Sequence, residues 1–243
     1  MGPIGIFDSG FGGLTVFKEI EKVLPQYDYV YLGDNARVPY GTKSFEVVYR
    51  YTWECVSALL DQGCPLVIIA CNTASAKALR AIQQHDLPLH YPDRRVLGVI
   101  RPTSEQIGHY SKSGKVGVLG TNGTVESQSF PTEIQRFHPQ LETFQQACPM
   151  LVPLIEDGDL NSPAMRYYAY RYVNQLLAQH AAIDTIILGC THYPLIAPLI
   201  SEFLPDHIQL LPQGELVAQS LVEYLERHPK IEERCLKNGG HSF

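Results

Sequence analysis

Two halves of the chain repeat the same order of elements, and this repetition limits the possible folds more than any other feature. Each half begins with a short apolar run, continues with stretches of helical period and ends with another apolar run. In the first half these segments are "PIGIF" (3–7), a helix from about Thr15 to Val23, "YVYLG" (29–33), a helix from about Ser44 to Gln62 and "LVIIA" (66–70). In the second half they are "KVGVLG" (115–120), a helix ending at about Phe137, a helix over 164–180 and "TIILG" (185–189). The alternation predicts parallel sheets with helices on both faces.

The segments that follow corresponding strands also match each other. "GIFDSGFGGLTV" resembles "GVLGTNGTV" as a strand with a Gly/Ser/Thr loop, and "LVIIACNTASA" resembles "TIILGCTHYPL" as a strand followed by cysteine. Two matches in the same order and at similar spacing indicate two related halves with a pseudo-twofold relation. Open α/β sheets bind ligands at the carboxyl ends of their strands, where Cys71 and Cys190 fall. We therefore expect these two cysteines to approach one ligand from opposite sides.

The predicted fold class is α/β, with two pseudo-symmetric flavodoxin-like domains, parallel sheets and an active site in the cleft between them. The first domain is expected to be discontinuous, comprising residues 1–98 and 207–243 and carrying Asp8 and Cys71. The second domain is expected over 99–206 and carries Cys190 and His192. The final "NGGHSF" is predicted to be a loose end.

The amino-acid composition and net charge indicate what kind of molecule the protein binds. The 243 residues are 45% hydrophobic and 18% charged, and the net charge is −6 without a Lys/Arg-rich block. This balance favours a globular protein with a small-molecule substrate, and gives no reason to expect nucleic acid or a membrane surface as partner. No apolar stretch approaches the roughly 20 residues of a spanning helix, and we expect no signal peptide because a strand is predicted almost at once after Met1. A cytoplasmic location is expected.

The six cysteines lie at positions 55, 64, 71, 148, 190 and 235, and none forms the CxxC spacing of a zinc or redox site. No metal and no cofactor is therefore expected. Two thiols on opposite sides of a carbon suit a specific chemistry: one thiolate removes a proton from one face, and the other thiol delivers a proton to the opposite face. This pair inverts a stereocentre.

Polar residues adjoin the three strand ends, as stabilising a carbanion requires. Asp8 and Ser9 follow the first strand, Asn72 and Thr73 follow Cys71, and Thr191 and His192 follow Cys190. A cationic His192 would lower the pKa of a nearby thiol, whereas an anionic Asp8 would raise it. Asp8 is better interpreted as a proton acceptor or as an anchor for an ammonium group.

At these residues the chain resembles the glutamate racemases of the cofactor-independent aspartate/glutamate racemase superfamily. The matching segments are "GIFDSGFGGLTV" (5–16), "GDNARVPYG" (33–41), "ACNTASA" (70–76), "GTNGTV" (120–125), "CPMLVPLIEDG" (148–158) and "GCTHYPL" (189–195). The resemblance implies a bacterial cytoplasmic enzyme that supplies D-glutamate for peptidoglycan, commonly as a homodimer. It also implies that Cys71 and Cys190 are the two acid/base residues, with Cys71 acting on the D-isomer and Cys190 on the L-isomer.

The resemblance further implies roles for the surrounding residues. Asp8 and His192 match residues that assist the cysteines, and Glu156 matches an acidic group near the second cysteine. The positions that hold the amino and carboxylate groups of glutamate correspond to Asp8, Ser9, Pro39, Tyr40, Gly41, Asn72, Thr73, Thr121, Thr124, Thr191 and His192.

Other interpretations stay open at this point. One is an aspartate or broad-specificity amino-acid racemase, and another is a catalytically idle relative that binds DNA-processing machinery or a metabolite as a regulator. Cys55, Cys64, Cys148 and Cys235 are interpreted as structural thiols. The "GFGG" loop lacks both the GxGxxG pattern and a P-loop lysine, so nucleotide binding is not expected.

Overall fold

The computed structural model describes all 243 residues, and its first half alternates strands with helices. The strands are β1 (Ile4–Asp8), β2 (Tyr29–Gly33), β3 (Leu66–Ile69) and β4 (Arg95–Gly98). The helices are α1 (Leu14–Val23), α2 (Phe45–Asp61), α3 (Asn72–Lys77), α4 (Leu79–Ala81), α5 (Leu87–His90) and α6 (Ile100–Gln106). A π-helical turn (Ile82–Asp86) joins α4 to α5, and a 3-10 turn (Ile107–His109) follows α6.

The second half repeats this alternation. Its strands are β5 (Lys115–Gly120), β6 (Glu142–Ala147), β7 (Thr185–Gly189) and β8 (Gln209–Leu211). Its helices are α7 (Asn122–Glu126), α8 (Ser129–Phe137), α9 (Leu151–Glu156), α10 (Pro163–Leu177) and α11 (Ala197–Ser201), with a 3-10 turn (Tyr193–Ile196) before α11. The chain ends with α12 (Gly214–Arg227), α13 (Pro229–Glu232) and β9 (His241–Ser242).

The two sheets have the same strand order. The first sheet runs β2-β1-β3-β4, with β9 outside β2, and the second runs β6-β5-β7-β8. All of these pairs are parallel. Counted within each half, both orders are 2-1-3-4, so the predicted α/β class with two parallel sheets is confirmed. In each sheet the second strand is added on one side of the first strand and the third strand on the other side. The strand order therefore reverses between the first and third strands, and open α/β sheets bind ligands at such a point.

The C-terminal part of the chain differs from the expectation in two ways. Strand β8 pairs with β7, Ile186 opposite Leu210, so residues 209–211 belong to the second sheet and the chain leaves it after Leu211 rather than at 207. From there α12 returns to the first half, where Val217 and Leu221 share one apolar cluster with Phe17. The end of the chain is not loose, because β9 pairs with β2 and the Asp28 carboxylate accepts the backbone N–H groups of Asn238 and Gly240.

Apolar side chains cover both faces of each sheet, as the continuous apolar runs require. Strands β1, β3 and β7 are buried along their whole length. Four buried clusters result, two against each sheet. No helix in the chain has both the length and the apolar composition needed to cross a bilayer.

Candidate active site

The carboxyl ends of four strands from the two halves meet around one cavity. Asp8 ends β1, Cys71 follows β3, Thr121 follows β5 and Cys190 follows β7. The cavity has an empty volume of about 490 Å³ including its open mouth. Its walls are formed by Ser9, Val38, Pro39, Tyr40, Gly41, Thr42, Cys71, Asn72, Thr73, Thr121, Asn122, Cys148, Pro149, Val152, Pro153, Cys190, Thr191 and His192.

Cys71 occupies the N-cap position of α3, and its thiol is 5% exposed. Its Sγ accepts the backbone N–H of Ala74 at 3.4 Å and lies 3.4 Å from Ser9 Oγ. Burial, and then the charge of Asp8, raises the pKa of Cys71 to about 12. The raised pKa keeps this group a thiol at neutral pH.

Cys190 has a different set of neighbours. Its Sγ lies 3.8 Å from Nδ1 of His192, and Nε2 of the same ring is hydrogen-bonded to the Glu156 carboxylate. Burial raises the pKa of the Cys190 thiol well above its ordinary value, and negative charge on Cys71 or Asp8 raises it further. Ionisation of Cys71 thus keeps Cys190 protonated, which gives the site one base and one acid at a time.

Asp8 lies behind the cavity wall and has no solvent exposure. One carboxylate oxygen accepts the backbone N–H of Gly10 at 2.9 Å, and the other accepts the hydroxyl of Thr191 at 3.3 Å. Burial raises the pKa of Asp8, while the charge of His192 and these hydrogen bonds oppose that rise. Asp8 thereby joins β1 of the first half to the Cys190 loop of the second.

The loop after β1 approaches the Cys190 loop closely at Gly12. A Cβ atom at this position would lie 2.5 Å from Nδ1 of His192 and 2.6 Å from Oγ1 of Thr191. Next to it, the hydroxyl of Thr15 donates to the carbonyl of Thr191 at 2.9 Å. The glycine lets the two halves meet beside the cavity, so the imidazole is held between Cys190 and the first half.

Hydroxyl groups and the amides of Asn72 and Asn122 supply much of the polar surface. Oγ1 of Thr73 lies 2.8 Å from Oγ1 of Thr121, and Thr124 stands behind both, fully buried and within 3.4 Å of each hydroxyl. Asn72 is 2% exposed, and neither its side-chain oxygen nor its nitrogen has a protein partner. Buried polar atoms without partners are costly, so the Asn72 amide is available to a polar ligand group.

Pro39, Tyr40 and Gly41 form a third wall that hydrogen bonds fix in place. The hydroxyl of Tyr40 donates to Asp34 Oδ2 at 2.5 Å, and Nε of Arg37 donates to the same oxygen at 2.6 Å. Burial raises the pKa of the Tyr40 hydroxyl, so it stays a neutral donor. The wall therefore presents a fixed surface to a ligand.

Most of the residues predicted for the site line this cavity, and three lie just behind its surface. Asp8 and Thr124 contact lining residues from behind, and Glu156 reaches the site through His192. Seven lining residues were not predicted: Val38, Thr42, Asn122, Cys148, Pro149, Val152 and Pro153. Cys148 directly follows β6, so its position in the wall could have been inferred only if that strand had been predicted.

The cavity wall contains neither lysine nor arginine, and no group of three or more His, Cys, Asp or Glu side chains is arranged to hold a metal ion. The polar side chains that a ligand carboxylate meets here are hydroxyls, amides, thiols and the imidazole of His192. The arrangement can therefore bind a small zwitterion and place a thiol on each side of it.

Comparison with known proteins gives consistent matches over nearly the whole chain. The family model described as Asp/Glu/hydantoin racemase matches residues 4–227. A glutamate racemase of Geobacter metallireducens is 44% identical over 240 residues, which cover 99% of this chain and 86% of the relative. Crystal structures of glutamate racemases superpose with TM-scores of 0.86 for Bacillus anthracis (33% identity) and 0.85 for Francisella tularensis in complex with D-glutamate (31% identity). Each covers 99% of this chain, and this chain covers 86% of each.

Proposed function

The chain belongs to the Asp/Glu/hydantoin racemase family, and from this premise we propose that it is a glutamate racemase, an isomerase that interconverts L- and D-glutamate without a cofactor. The observation that carries the proposal is the placement of Cys71 and Cys190 in one cavity, each after the third strand of its half. The 44% identity to a glutamate racemase and the structural neighbour in complex with D-glutamate support glutamate as the substrate.

The substrate enters as an amino acid with two carboxylates and one ammonium group. The hydroxyls of Ser9, Thr73 and Thr121, with the free amide of Asn72, are the groups that bind its polar atoms. The bound substrate displaces water from the cavity, which strengthens hydrogen bonds to the charge that develops on the α-carbon and its carboxylate. The ammonium group brings positive charge close to the thiols and so lowers the pKa values that burial has raised.

Racemisation then needs two proton transfers. With D-glutamate, the Cys71 thiolate takes the α-proton from one face, and the electron pair of the C–H bond stays on the α-carbon as a carbanion. The Cys190 thiol gives its proton to the opposite face, which forms L-glutamate and leaves Cys71 as thiol and Cys190 as thiolate. The reverse reaction begins from Cys190, so the two residues exchange the roles of base and acid.

Different residues assist the two cysteines. Asp8 lies beside the first thiol, where its carboxylate raises the thiol pKa and makes the thiolate a stronger base. His192, held by Glu156, lies beside Cys190 and can take or return its proton. The protein thus reaches each face of the substrate with a thiol that has its own proton partner.

The cellular setting is part of the same proposal. D-glutamate made in the cytoplasm supplies peptidoglycan synthesis, and the enzyme acts as a homodimer of two-domain subunits whose first domain includes the returning α12. Family membership supports these statements, and the packing of α12 against α1 supports the discontinuous domain.

The first test is proton exchange followed by NMR in D₂O, with D-glutamate, L-glutamate and L-aspartate supplied separately. Deuterium at the α-carbon together with inversion of glutamate is the expected result. Inversion of aspartate in preference to glutamate would make the chain an aspartate racemase, and no exchange with any amino acid would point to a binding protein.

The cysteine variants test the mechanism. Cys71→Ser and Cys190→Ser are each expected to lower the racemisation rate by about a hundredfold to ten-thousandfold, because a hydroxyl is a far weaker acid and its alkoxide is not populated. Cys64→Ala is the matched control, since Cys64 is equally buried but lies outside the cavity. Full activity in either serine variant would contradict the two-base mechanism.

A further inference from the structure

A buried lysine lies at the back of the cavity, where three segments meet. Lys77 is the last residue of α3, the helix that Cys71 caps, and its side chain is only 2% exposed. Its ammonium group donates to the carbonyl of Lys43 at 2.8 Å and lies 4.7 Å from the ring centroid of Phe45. Burial lowers the pKa of Lys77, so its charge is retained at a cost that these contacts offset.

The same ammonium group contacts the second half of the chain. It lies 3.8 Å from the carboxylate of Glu126 on α7, and a Cβ atom at Gly123 would come within 2.9 Å of it. The backbone N–H of Gly123 donates to the carbonyl of Gly41 at 2.8 Å, which joins α7 to the Pro39–Gly41 wall. From the end of the helix that Cys71 caps, Lys77 therefore contacts the segment that continues the wall and the helix that follows Thr121.

None of these contacts is with a substrate, because Lys77 is not part of the cavity lining. Their common effect is geometric. The ammonium group ties α3 and the segment 41–45 of the first half to α7 of the second half, and the N-cap of α7 is Thr121, whose hydroxyl contacts that of Thr73. A change in this junction would alter the separation of the two walls that carry the two thiols.

We propose that Lys77 is a positioning residue that sets the spacing between the two halves of the site, so that a carbanion formed by one cysteine is within reach of the other. The proposal rests on the racemase function proposed above. A small increase in the separation should affect the second proton transfer most, because proton transfer requires contact distance between donor and acceptor. The first cysteine would still remove the α-proton and return a solvent-derived one to the same face.

The test compares two rates in D₂O: inversion of D-glutamate, and uptake of deuterium at the α-carbon without inversion. In Lys77→Met, which keeps the apolar stem and removes the charge, inversion is expected to fall by about tenfold to a hundredfold, the range that a displacement near 1 Å produces. Uptake without inversion should fall less, so the ratio of uptake to inversion rises. Lys22→Met is the control, because Lys22 is an exposed lysine on α1 paired only with Glu19.

A second measurement does not depend on activity. Hydrogen exchange of the amide of Gly123, followed by mass spectrometry of the peptide that covers α7, should become faster in Lys77→Met and stay unchanged in Lys22→Met. If the unsubstituted protein does not racemise glutamate, the proposed function fails, and this exchange measurement still decides whether Lys77 holds the junction.

Two results would overturn the inference. One is a Lys77→Met protein whose uptake-to-inversion ratio and Gly123 exchange equal those of the unsubstituted protein. The other concerns a second variant, Phe45→Leu, which is used if Lys77→Met does not fold. Phe45 suits this purpose because its side chain is 48% exposed and its ring only supports the ammonium group. A ratio unchanged in Phe45→Leu would contradict the proposal.

Discussion

At the scale of single residues, the site holds a buried carboxylate that works against the stability of the fold. The pKa of Asp8 is raised by burial, so the folded protein binds a proton at Asp8 more tightly than the unfolded chain does. Above a pH of about 4 the ionised carboxylate therefore destabilises the folded state, and this cost grows as the pH rises toward the folded-state pKa. A residue of this kind is expected where function and stability conflict.

Asp8→Asn should accordingly raise the thermal midpoint at pH 7 while it lowers the racemisation rate. The opposite case is Asp28, whose pKa is lowered chiefly by the backbone N–H of Gly240 and by Asn238. Asp28→Asn should lower the midpoint and leave the rate unchanged, because Asp28 lies at the chain end that forms β9 and not at the cavity. A fall in the midpoint of Asp8→Asn as large as that of Asp28→Asn would show that hydrogen bonds, rather than burial, dominate at Asp8.

At the scale of elements, Cys71 has two functions that one substitution can separate. Its sulfur caps α3 through a 3.4 Å contact with the N–H of Ala74, and an oxygen makes a better N-cap than sulfur does. Cys71→Ser should therefore keep the stability of the unsubstituted protein, whereas Cys71→Ala should lose about 1 kcal/mol of unfolding free energy. Urea unfolding of the two inactive variants measures the difference, and equal losses would mean that the cap contributes nothing.

The strands that could not be predicted are those whose stability depends on their neighbours. Strands β1, β3, β5 and β7 lie inside their sheets and consist mostly of apolar residues, so their sequences identify them. Strand β6 is an edge strand with the polar sequence "ETFQQA", and β4 begins with an arginine at the other sheet's edge. Their pairing comes from the adjacent strand rather than from their own composition. Without β6, the place of Cys148 in the cavity wall could not be foreseen.

The site itself could be predicted to the extent that it follows strand ends. Cys71 and Cys190 line one cavity because corresponding strands end at corresponding edges, and this much follows from the sequence pattern. The unpaired amide of Asn72 and the interior position of Thr124 depend on side-chain packing between the halves, which no local pattern records. The Lys77 junction belongs to the same class, since it joins α3 to partners from two other segments of the chain.

At the scale of the whole molecule, all six cysteines are buried free thiols with pKa values raised by burial. The pKa is about 11 for Cys64 and about 12 for Cys235, against about 8.5 for a thiol in an unfolded chain. Above that unfolded value the unfolded chain loses these protons and the folded protein keeps them. The contribution of these thiols to the free energy of unfolding is therefore fully present below a pH of about 8.5 and is lost as the pH rises toward 11.

The expected result is a urea midpoint that decreases steadily from pH 8 to pH 10.5. Each thiol contributes at most about 1.4 kcal/mol per pH unit, so Cys64→Ala should show a shallower decrease than the unsubstituted protein. Equal slopes in both proteins would mean that Cys64 ionises as readily in the folded state as in the unfolded chain.

The shared 2-1-3-4 strand order has a kinetic consequence. It gives the two faces of the substrate equivalent scaffolds, yet the charge of Asp8 acts on one thiol and the pair of His192 and Glu156 accompanies the other. Two enantiomers have the same free energy in water, so the Haldane relation requires kcat/KM to be equal for the L and D forms. Unequal partners for the two thiols can therefore never favour one product at equilibrium. They can only lower KM for one enantiomer together with a proportional decrease in kcat for that enantiomer.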